Sequence, residues 1–212
     1  MTDGGDGRGG GGAEKARWEE RYGSPDYLFG REPNAFLASC RDLLPKRGRA
    51  LAVADGEARN GVWLARQGLE VVSLDFAPTA QKKAAALARE AGVALEIVEA
   101  DVHAWDYPPE AFDLVADIFT QFSGPEQRAA KWAGIRRTLK PGGLLILQGY
   151  TPKQLEYGTG GPKTLENLYT RALLEAAFGD MKDVAIVEEE RELHEGDAHS
   201  GKSAVIGLTA RK

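Results

Sequence analysis

The sequence predicts a doubly wound α/β fold, with a mostly parallel seven-stranded sheet, helices on both faces and a C-terminal antiparallel hairpin. Short apolar runs alternate with helical segments from residue 48 to residue 178, as in parallel sheets whose strands are joined by helical crossovers. Two β-rich stretches then follow each other across a polar turn, and this pair predicts the hairpin. A chain of 212 residues, 42% of them hydrophobic, is expected to form one domain around one core.

The N-terminal part of the chain differs in composition from the rest. Residues 1–12 are rich in glycine and lack large apolar side chains, so we expect a disordered tail in which nothing offsets the entropy cost of ordering. Residues 13–47 are predicted to form a helical cover. Its first helix spans Ala13 to Tyr22, where Gly23 and Pro25 follow, and its second runs from Pro33 or Asn34 to Leu44, before Pro45.

The α/β core, residues 48–212, completes a single domain over 13–212. Five of its apolar runs are short and continuous, which is typical of strands that helices cover on both faces. Prolines at the starts of helices and glycines at their ends mark the boundaries. The predicted elements are, in order, strand Leu51–Ala54, helix Arg59–Gln67, strand Val71–Leu74, helix Pro78–Ala91, strand Leu95–Val98, strand Phe112–Phe119, helix Gly124–Leu139, the Lys140–Gly143 turn, strand Leu144–Leu147, helix Thr164–Phe178, and strands Val184–Leu193 and Ser203–Ala210 around the turn Glu195–Gly201.

The composition argues against several classes of function. A formal net charge of −5 gives no broad basic surface for nucleic acid. No apolar run approaches the roughly 18 residues of a membrane span. The single cysteine, Cys40, and three scattered histidines provide neither a disulfide nor the spacing of a metal site. We therefore predict a cytoplasmic protein that binds no metal, nucleic acid or membrane, acts on a small molecule, and exists as a monomer or weak homodimer.

Candidate ligand-binding residues follow the predicted strands, at the sheet edge where open α/β sheets bind ligands. The first strand leads into Asp55, Gly56, Glu57 and then Arg59. Gly56 allows a ligand to approach the main chain, and the free amides of the next helix suit a carboxylate or phosphate. Arg59 either contacts such a carboxylate or caps the protein surface.

The next three strand ends supply groups that suit a nucleoside. Asp75, beside Phe76, lies about 20 residues beyond Gly56, the placement of an acid that binds ribose hydroxyls. Asp101 could accept the exocyclic amine of adenine while Val102 forms an apolar wall, and Phe119 could cover the other side. Each residue alone is more typical of a turn or a helix cap. Together they predict a cofactor that contains a nucleoside.

The order of these residues resembles class I methyltransferases, and among them the small bacterial group similar to tellurite-resistance and thiopurine methyltransferases. The resemblance covers residues 14–212 and rests on the segments Trp18–Tyr22, Gly30–Leu37, Gly56–Asn60, Trp63–Ala65, Leu74–Asp75, Lys140–Gly143 and Tyr157–Lys163. It implies a Rossmann-like methyltransferase fold with S-adenosylmethionine as the cofactor and S-adenosylhomocysteine as its product. The cofactor would be bound at the first loop, Asp75, Asp101 and around Phe119.

The first loop departs from the pattern of that family. Ala54 and Ala58 stand where glycines are common, and Ala52 stands where an acid often precedes them. We expect weakened rather than abolished cofactor binding, provided that neither alanine needs a positive φ.

Methyl transfer from a sulfonium needs alignment more than a dedicated base, and we assign no catalytic base. A thiol or another soft small molecule is the favoured acceptor. Its candidate contacts are Tyr22, Tyr27, Gln121 and Tyr150. We expect His194 and His199 to be solvated residues of the hairpin turn, with a contact to the substrate as the alternative. The loop Thr151–Lys163 is expected to be either a lid over the substrate or a plain surface loop.

Two other functions remain open at this point. A non-catalytic S-adenosylmethionine-binding or regulatory protein would explain the alanines of the first loop. A nicotinamide-dependent oxidoreductase would need Gly-x-Gly-x-x-Gly after the first strand, where the chain offers only Gly56 and Gly61.

Overall fold

A computed structural model describes residues 10–196 and 199–212 of the chain. Most of the predicted tail, residues 1–9, lies outside the described residues. The first helix, α1, spans Gly10–Tyr22, so it begins three residues before the predicted boundary at Ala13. None of the described helices is both long enough and apolar enough to cross a membrane.

The described chain follows the predicted alternation of strands and helices. The strands are β1 (Arg49–Val53), β2 (Glu70–Asp75), β3 (Leu95–Glu99), β4 (Phe112–Ile118), β5 (Leu139–Tyr150), β6 (Lys182–Glu195) and β7 (His199–Arg211). The α-helices after α1 are α2 (Ala35–Ser39), α3 (Arg59–Arg66), α4 (Pro78–Ala91), α5 (Pro125–Thr138), α6 (Gln154–Tyr157) and α7 (Arg171–Phe178).

The seven strands form one sheet in the order β3-β2-β1-β4-β5-β7-β6. Strands β1 to β5 are parallel, whereas β7 runs antiparallel to both β5 and β6. The predicted mostly parallel sheet with a terminal antiparallel hairpin is therefore confirmed. The chain leaves β1 toward one edge and returns to β4 on its other side, so a crevice opens beyond the carboxyl ends of these two strands.

The core lies on both faces of the sheet. Because side chains of a strand alternate between faces, Leu51 and Val53 of β1 join one apolar cluster while Ala50 joins another. Trp132 of α5 packs in the first cluster, and Leu64 of α3 packs in the second. Helices therefore cover both faces, as the continuous apolar strands predicted.

Two predicted helices are wrong in their extent. The helix expected over Asn34–Leu44 ends at Ser39 and is followed by a 3-10 turn, Arg41–Leu43. The helix expected over Thr164–Phe178 begins only at Arg171, because Thr170 caps it by accepting a hydrogen bond from the Leu173 amide at 3.1 Å. Before that cap, Leu165–Asn167 form a 3-10 turn and Leu168 is extended, and the buried Tyr169 ring packs against Trp132.

The terminal hairpin is longer than predicted. Glu195 pairs with His199 across the two strands, so the expected turn Glu195–Gly201 is strand at both ends. Residues 197–198 lie outside the described residues. The polar residues that indicated a loop include side chains with specific partners, Glu195 with Arg59 and His199 with Phe119.

A buried ion pair connects β4 to α5. Lys131 donates to the Asp117 carboxylate at 3.2 Å, both side chains are fully buried, and the Trp132 indole donates to the other carboxylate oxygen at 3.1 Å. Thr120 also donates to Asp117 and accepts from Lys131. The four side chains satisfy one another in an environment where an unpaired charge is costly.

We predict that Lys131→Met lowers the free energy of unfolding by about 3–5 kcal/mol, because it leaves the Asp117 carboxylate buried without its cation. Urea denaturation measures the change. The control is Glu96→Gln, which removes an exposed pair with Arg49 at 3.2 Å and is expected to cost at most about 1 kcal/mol. Equal losses in the two variants would contradict the importance of the buried pair.

Candidate ligand-binding site

Two adjoining cavities open at the carboxyl ends of the parallel strands. The first has a volume of about 550 Å³ and is formed by the loops after β1, β2 and β4 under the N-terminal cover. It is lined by Trp18, Tyr22, Phe29, Ala54, Asp55, Gly56, Arg59, Asn60, Asp75, Phe76, Ile118, Phe119, Phe122 and His199. Seven of the predicted ligand-binding residues thus meet around one space.

The second cavity, of about 1280 Å³ including its open mouth, continues from the first past a shared wall of Trp18, Phe29, Phe119, Phe122 and His199. Its other walls come from α1, from β5 and its following loop, and from the 3-10 turn before α7. They are Arg17, Arg21, Gln121, Tyr150, Gly160, Gly161, Pro162, Lys163, Thr164 and Asn167.

The loop between β1 and α3 has an unusual backbone. Ala54, Gly56 and Ala58 all have positive φ, at 47°, 57° and 64°. Glycine adopts this region freely, whereas an L-residue with a Cβ pays roughly 1–2 kcal/mol. The alanines were expected to be tolerated only if neither had a positive φ, and both have one. The loop therefore holds two strained residues next to the cavity.

Gly56 lies directly under the cover helix. A Cβ at this position would be 2.6 Å from the Tyr22 hydroxyl oxygen. Tyr22 is itself buried and stacks on Trp18, with ring centroids 5.5 Å apart. The loop and α1 therefore approach each other as closely as a residue without a side chain allows.

The two carboxylates of the site face donors of the protein. Asp75 accepts from the Gly56 and Ala77 amides, both at 2.9 Å, and burial raises the pKa of its carboxyl. Asp55 accepts from the Ser73 hydroxyl at 2.8 Å and from the Gly61 amide at 3.1 Å. Burial, only partly opposed by these bonds, raises the pKa of Asp55 to about 7. Asp55 thus fastens the loop to β2 and α3, and Asp75 holds the glycine.

Glu57 and Tyr27 lie outside both cavities. Glu57 accepts from Lys83 at 2.7 Å and from the Leu28 amide at 2.8 Å, while the Tyr27 hydroxyl donates to the Lys83 carbonyl at 3.3 Å. These contacts fasten the N-terminal cover to α3 and α4. Neither Glu57 nor Tyr27 lines either cavity.

Asp101 and Val102 also lie outside both cavities. The Asp101 side chain is exposed and accepts from the His103 amide at 2.9 Å, with the His103 ring at 3.1 Å. Val102 is buried in the core. The structure brings Asp55, Gly56 and Asp75 together but does not add the predicted adenine contacts to them.

Phe119 forms the wall between the two cavities. Its φ is 54°, a strained value for a residue with a large side chain. The ring stacks on Tyr150 at 4.7 Å and meets His199 edge to face at 4.5 Å. Gln121, two residues later, donates to the carbonyls of Tyr150 and Asn167 at 2.9 and 3.0 Å, so its amide shapes the wall.

Three residues of the site escaped prediction from the sequence. Glu195 pairs with Arg59 at 2.6 Å, and both side chains are more than nine-tenths buried. Asn34 donates to Glu195 and to Gln148, and the Ala35 amide donates to Glu195 at 3.1 Å. Arg59 is therefore not a surface cap, since its guanidinium binds the hairpin. Asn34 belongs to the segment Gly30–Leu37, which resembles class I methyltransferases. Glu195 lies in a run of acidic and basic residues that gave no indication of a site.

His199 is the third residue. It was expected to be solvated, but its ring lies between Phe29 at 4.6 Å and Phe119 at 4.5 Å and lines both cavities. Burial, with Arg59 nearby, lowers the pKa of His199 to about 3. His194 is exposed, as expected.

Comparison with known proteins identifies the fold. Residues 50–143 match the family described as a methyltransferase domain. The solved S-adenosylmethionine-dependent methyltransferase of Methanosarcina mazei superposes with a TM-score of 0.68 at 18% identity, covering 85% of this chain and 98% of that one. The chain has the methyltransferase fold.

Two further methyltransferases are similar to this chain, one in part of its sequence and one in its fold. Over 110 residues the chain is 34% identical to the demethylmenaquinone methyltransferase of Thermus thermophilus, a match that spans 51% of this chain and about half, 49%, of that protein. The 1,6-didemethyltoxoflavin-N1-methyltransferase of Burkholderia thailandensis, solved with its substrate and S-adenosylhomocysteine, superposes with a TM-score of 0.58 at 20% identity over 84% of this chain and 78% of that one.

We predict that Ala54→Gly raises the free energy of unfolding by about 1 kcal/mol, because glycine relieves the positive φ. Ala58→Gly is expected to gain less, since its fully buried methyl group is lost at about 0.8 kcal/mol. Ala52→Gly, in β1 without a positive φ, is the control and is expected to destabilise by about 0.5–1 kcal/mol. Denaturant unfolding measures all three, and a loss in Ala54→Gly would show that the loop is unstrained.

We also predict a pH-dependent role for Glu195. Burial alone would raise its pKa, but Arg59 and the donors on Asn34 and Ala35 bring the pKa below its ordinary 4.5. The resulting stability is present above that pH and is lost as the pH falls through the folded-state value.

Thermal unfolding of Glu195→Gln should therefore show a large deficit near neutral pH that shrinks when both proteins are acidified below about pH 4.5. Glu192→Gln, exposed on the same strand, is the control and should follow the parent protein throughout. A deficit of the same size at every pH would contradict the ionic role.

Proposed function

We propose that the protein is an S-adenosylmethionine-dependent methyltransferase that acts on a small molecule. The observation that carries the proposal is the meeting of Gly56 and Asp75 at the edge of the first cavity, within the segment that matches the methyltransferase domain family. Fold alone would not carry it, because one fold hosts many activities.

The residues of the first cavity fit the cofactor. Gly56 lines the cavity without a side chain, which leaves its main chain open to a ligand, and the amides that begin α3 suit the carboxylate of the methionine part. Asp75, with Phe76 beside it, is placed for the ribose hydroxyls. When bound, S-adenosylmethionine supplies an electrophilic methyl group on a sulfonium. The rings of Trp18, Phe29 and Phe119 exclude water and offer faces that favour a cation.

Asp101 and Val102 remain predicted adenine contacts, which would require the 101–103 turn to lie nearer the cavity when the cofactor is bound. Tyr22 covers the first loop rather than the second cavity, so it is better placed against the cofactor than against the acceptor. The narrower resemblance to tellurite-resistance and thiopurine methyltransferases, the soft acceptor, the monomer or weak homodimer and the cytoplasm also remain predictions.

Two methyltransferases that match this chain are named for small organic molecules, a demethylmenaquinone and a didemethyltoxoflavin. This supports a small-molecule acceptor here, and the second cavity offers the space for one. A non-catalytic S-adenosylmethionine-binding protein is the second candidate, favoured by the strained Ala54 and Ala58 in the loop that would hold the cofactor.

Isothermal titration with S-adenosylmethionine, S-adenosylhomocysteine and NAD tests the proposal. We expect saturable binding of the first two and none of NAD. Asp75→Ala should weaken S-adenosylmethionine at least about tenfold, which corresponds to 1.4 kcal/mol or more. Asp42→Asn, exposed in the 3-10 turn before β1, is the control and should bind as the parent protein does.

NAD binding alone, or no binding at all, would overturn the proposal. Binding of S-adenosylmethionine without methyl transfer to any of a panel of thiols, phenols and amines would favour the non-catalytic candidate.

A further inference from the structure

The second cavity has a one-sided charge. Three of its lining residues are basic, Arg17, Arg21 and Lys163, and none is acidic. Arg17 is 3.5 Å from Glu14, whereas Arg21 lies over the Trp18 ring at 4.4 Å. A cavity with this lining attracts an anion, and its aromatic wall suits a planar molecule.

The same cavity holds polar atoms that lack partners. Among the described residues, four enclosed side-chain atoms have no hydrogen bond, and three of them belong to residues that line this cavity. These three are the Tyr150 hydroxyl, Asn167 Oδ1 and His199 Nδ1. Buried polar groups are almost always paired, so atoms that the protein itself leaves unpaired, on three residues that line one cavity, are available to hydrogen-bond a bound molecule.

Two of the unpaired atoms complement a hydroxyl group. The Tyr150 and His199 rings meet edge to face with centroids 5.6 Å apart. Burial raises the pKa of Tyr150, so its hydroxyl stays protonated and can donate. Burial, with Arg59 and Arg21 and against Glu195, lowers the pKa of His199 and keeps its imidazole neutral. The tautomer protonated at Nε2 leaves Nδ1 as an acceptor.

We propose that the second cavity binds the methyl acceptor as a planar aromatic anion whose hydroxyl group lies between Tyr150 and His199, with its negative charge toward Arg21 and Lys163. As the acceptor site, this inference rests on the proposed function. A hydroxyl both accepts from Tyr150 and donates to His199, whereas a thiol is weak in both directions. The unpaired atoms therefore favour an oxygen nucleophile over the soft sulfur acceptor expected from the sequence.

The neutral imidazole positions the hydroxyl rather than serving as a strong base. A group with a pKa of about 3 holds a proton poorly at neutral pH. When the acceptor oxygen takes the methyl group from the sulfonium, the hydroxyl proton is therefore released to water at the open mouth of the cavity, and S-adenosylhomocysteine is the other product. His199 and Tyr150 are thus positioning residues, and Phe119 provides the ring face against which the acceptor stacks.

Four naphthalene probes separate the two recognition elements. We would titrate 6-hydroxy-2-naphthoate, 2-naphthoate, 2-naphthol and naphthalene into the full chain loaded with S-adenosylhomocysteine, and into the free chain. The hydroxynaphthoate is expected to bind at least about tenfold more tightly than 2-naphthoate and 2-naphthol. A matched 6-mercapto-2-naphthoate is expected to bind no better than 2-naphthoate.

Point variants then assign each element. Tyr150→Phe and His199→Phe keep the rings and should abolish the preference for the hydroxyl while leaving 2-naphthoate affinity in place. Arg21→Gln and Lys163→Gln should abolish the preference for the carboxylate. Lys153→Gln, exposed in the same loop and paired with Glu190, is the control and should change neither.

Nitrogen-15 spectra of the histidine ring give a readout that does not depend on turnover. The His199 imidazole should remain neutral down to about pH 4, and its Nδ1 resonance should move with 6-hydroxy-2-naphthoate but not with 2-naphthoate. Circular dichroism and the unfolding midpoint identify variants that fail to fold. His199→Gln and Tyr150→Leu provide second variants at these positions.

Equal affinity for all probes, no binding of any, or a hydroxyl preference that survives Tyr150→Phe and His199→Phe would overturn this inference. Its failure is separate from that of the proposed function. If S-adenosylmethionine binds while the probes do not discriminate, only the acceptor assignment falls. If the probes discriminate as expected in the free chain but S-adenosylmethionine does not bind, the anion site stands without the methyltransferase.

Discussion

The buried pair of Arg59 and Glu195 is the constraint on which the geometry of the site depends. It joins the start of α3, the tip of the terminal hairpin and, through Asn34, the N-terminal cover. These parts are distant in sequence, and the ion pair with its hydrogen bonds connects them beyond the backbone pairing of the sheet. Since a single charge of the pair would be costly in isolation, the three parts assemble together. The site is therefore held by ion pairs and hydrogen bonds between residues distant in sequence, whereas the sheet beneath it is stabilised by apolar burial.

The sheet was predictable because its signals are local. Continuous apolar runs such as Leu51–Val53 are buried on both faces, and the prolines that begin α4 and α5 mark helix starts. The strand ends followed from chain direction, which is why Asp55, Gly56 and Asp75 were found together. Helix lengths were less predictable, since the cap at Thr170 and the burial of Tyr169 compete with helix propensity.

The polar contacts between elements could not be predicted from the sequence. Glu195 lies in a run of charged residues that is typical of an exposed turn, and only the pairing of β6 with β7 directs it toward Arg59. His199 follows the same logic, because the register of the hairpin carries it between two aromatic rings. Glu57 and Tyr27 lie outside both cavities for the opposite reason, and their roles as ligand contacts remain predictions. Their local position was right, but Lys83 of α4 occupies both.

Phe119 has a consequence that extends beyond its place in either cavity. The Phe119 ring is part of the wall that both cavities share, and its backbone has a strained, positive φ. A molecule that moves this ring from one side changes the shape met by a molecule on the other side. Thermodynamic linkage makes such an effect reciprocal, so that each occupant alters the affinity of the other by the same factor. A molecule that displaces Phe119 therefore couples the two cavities through the wall they share.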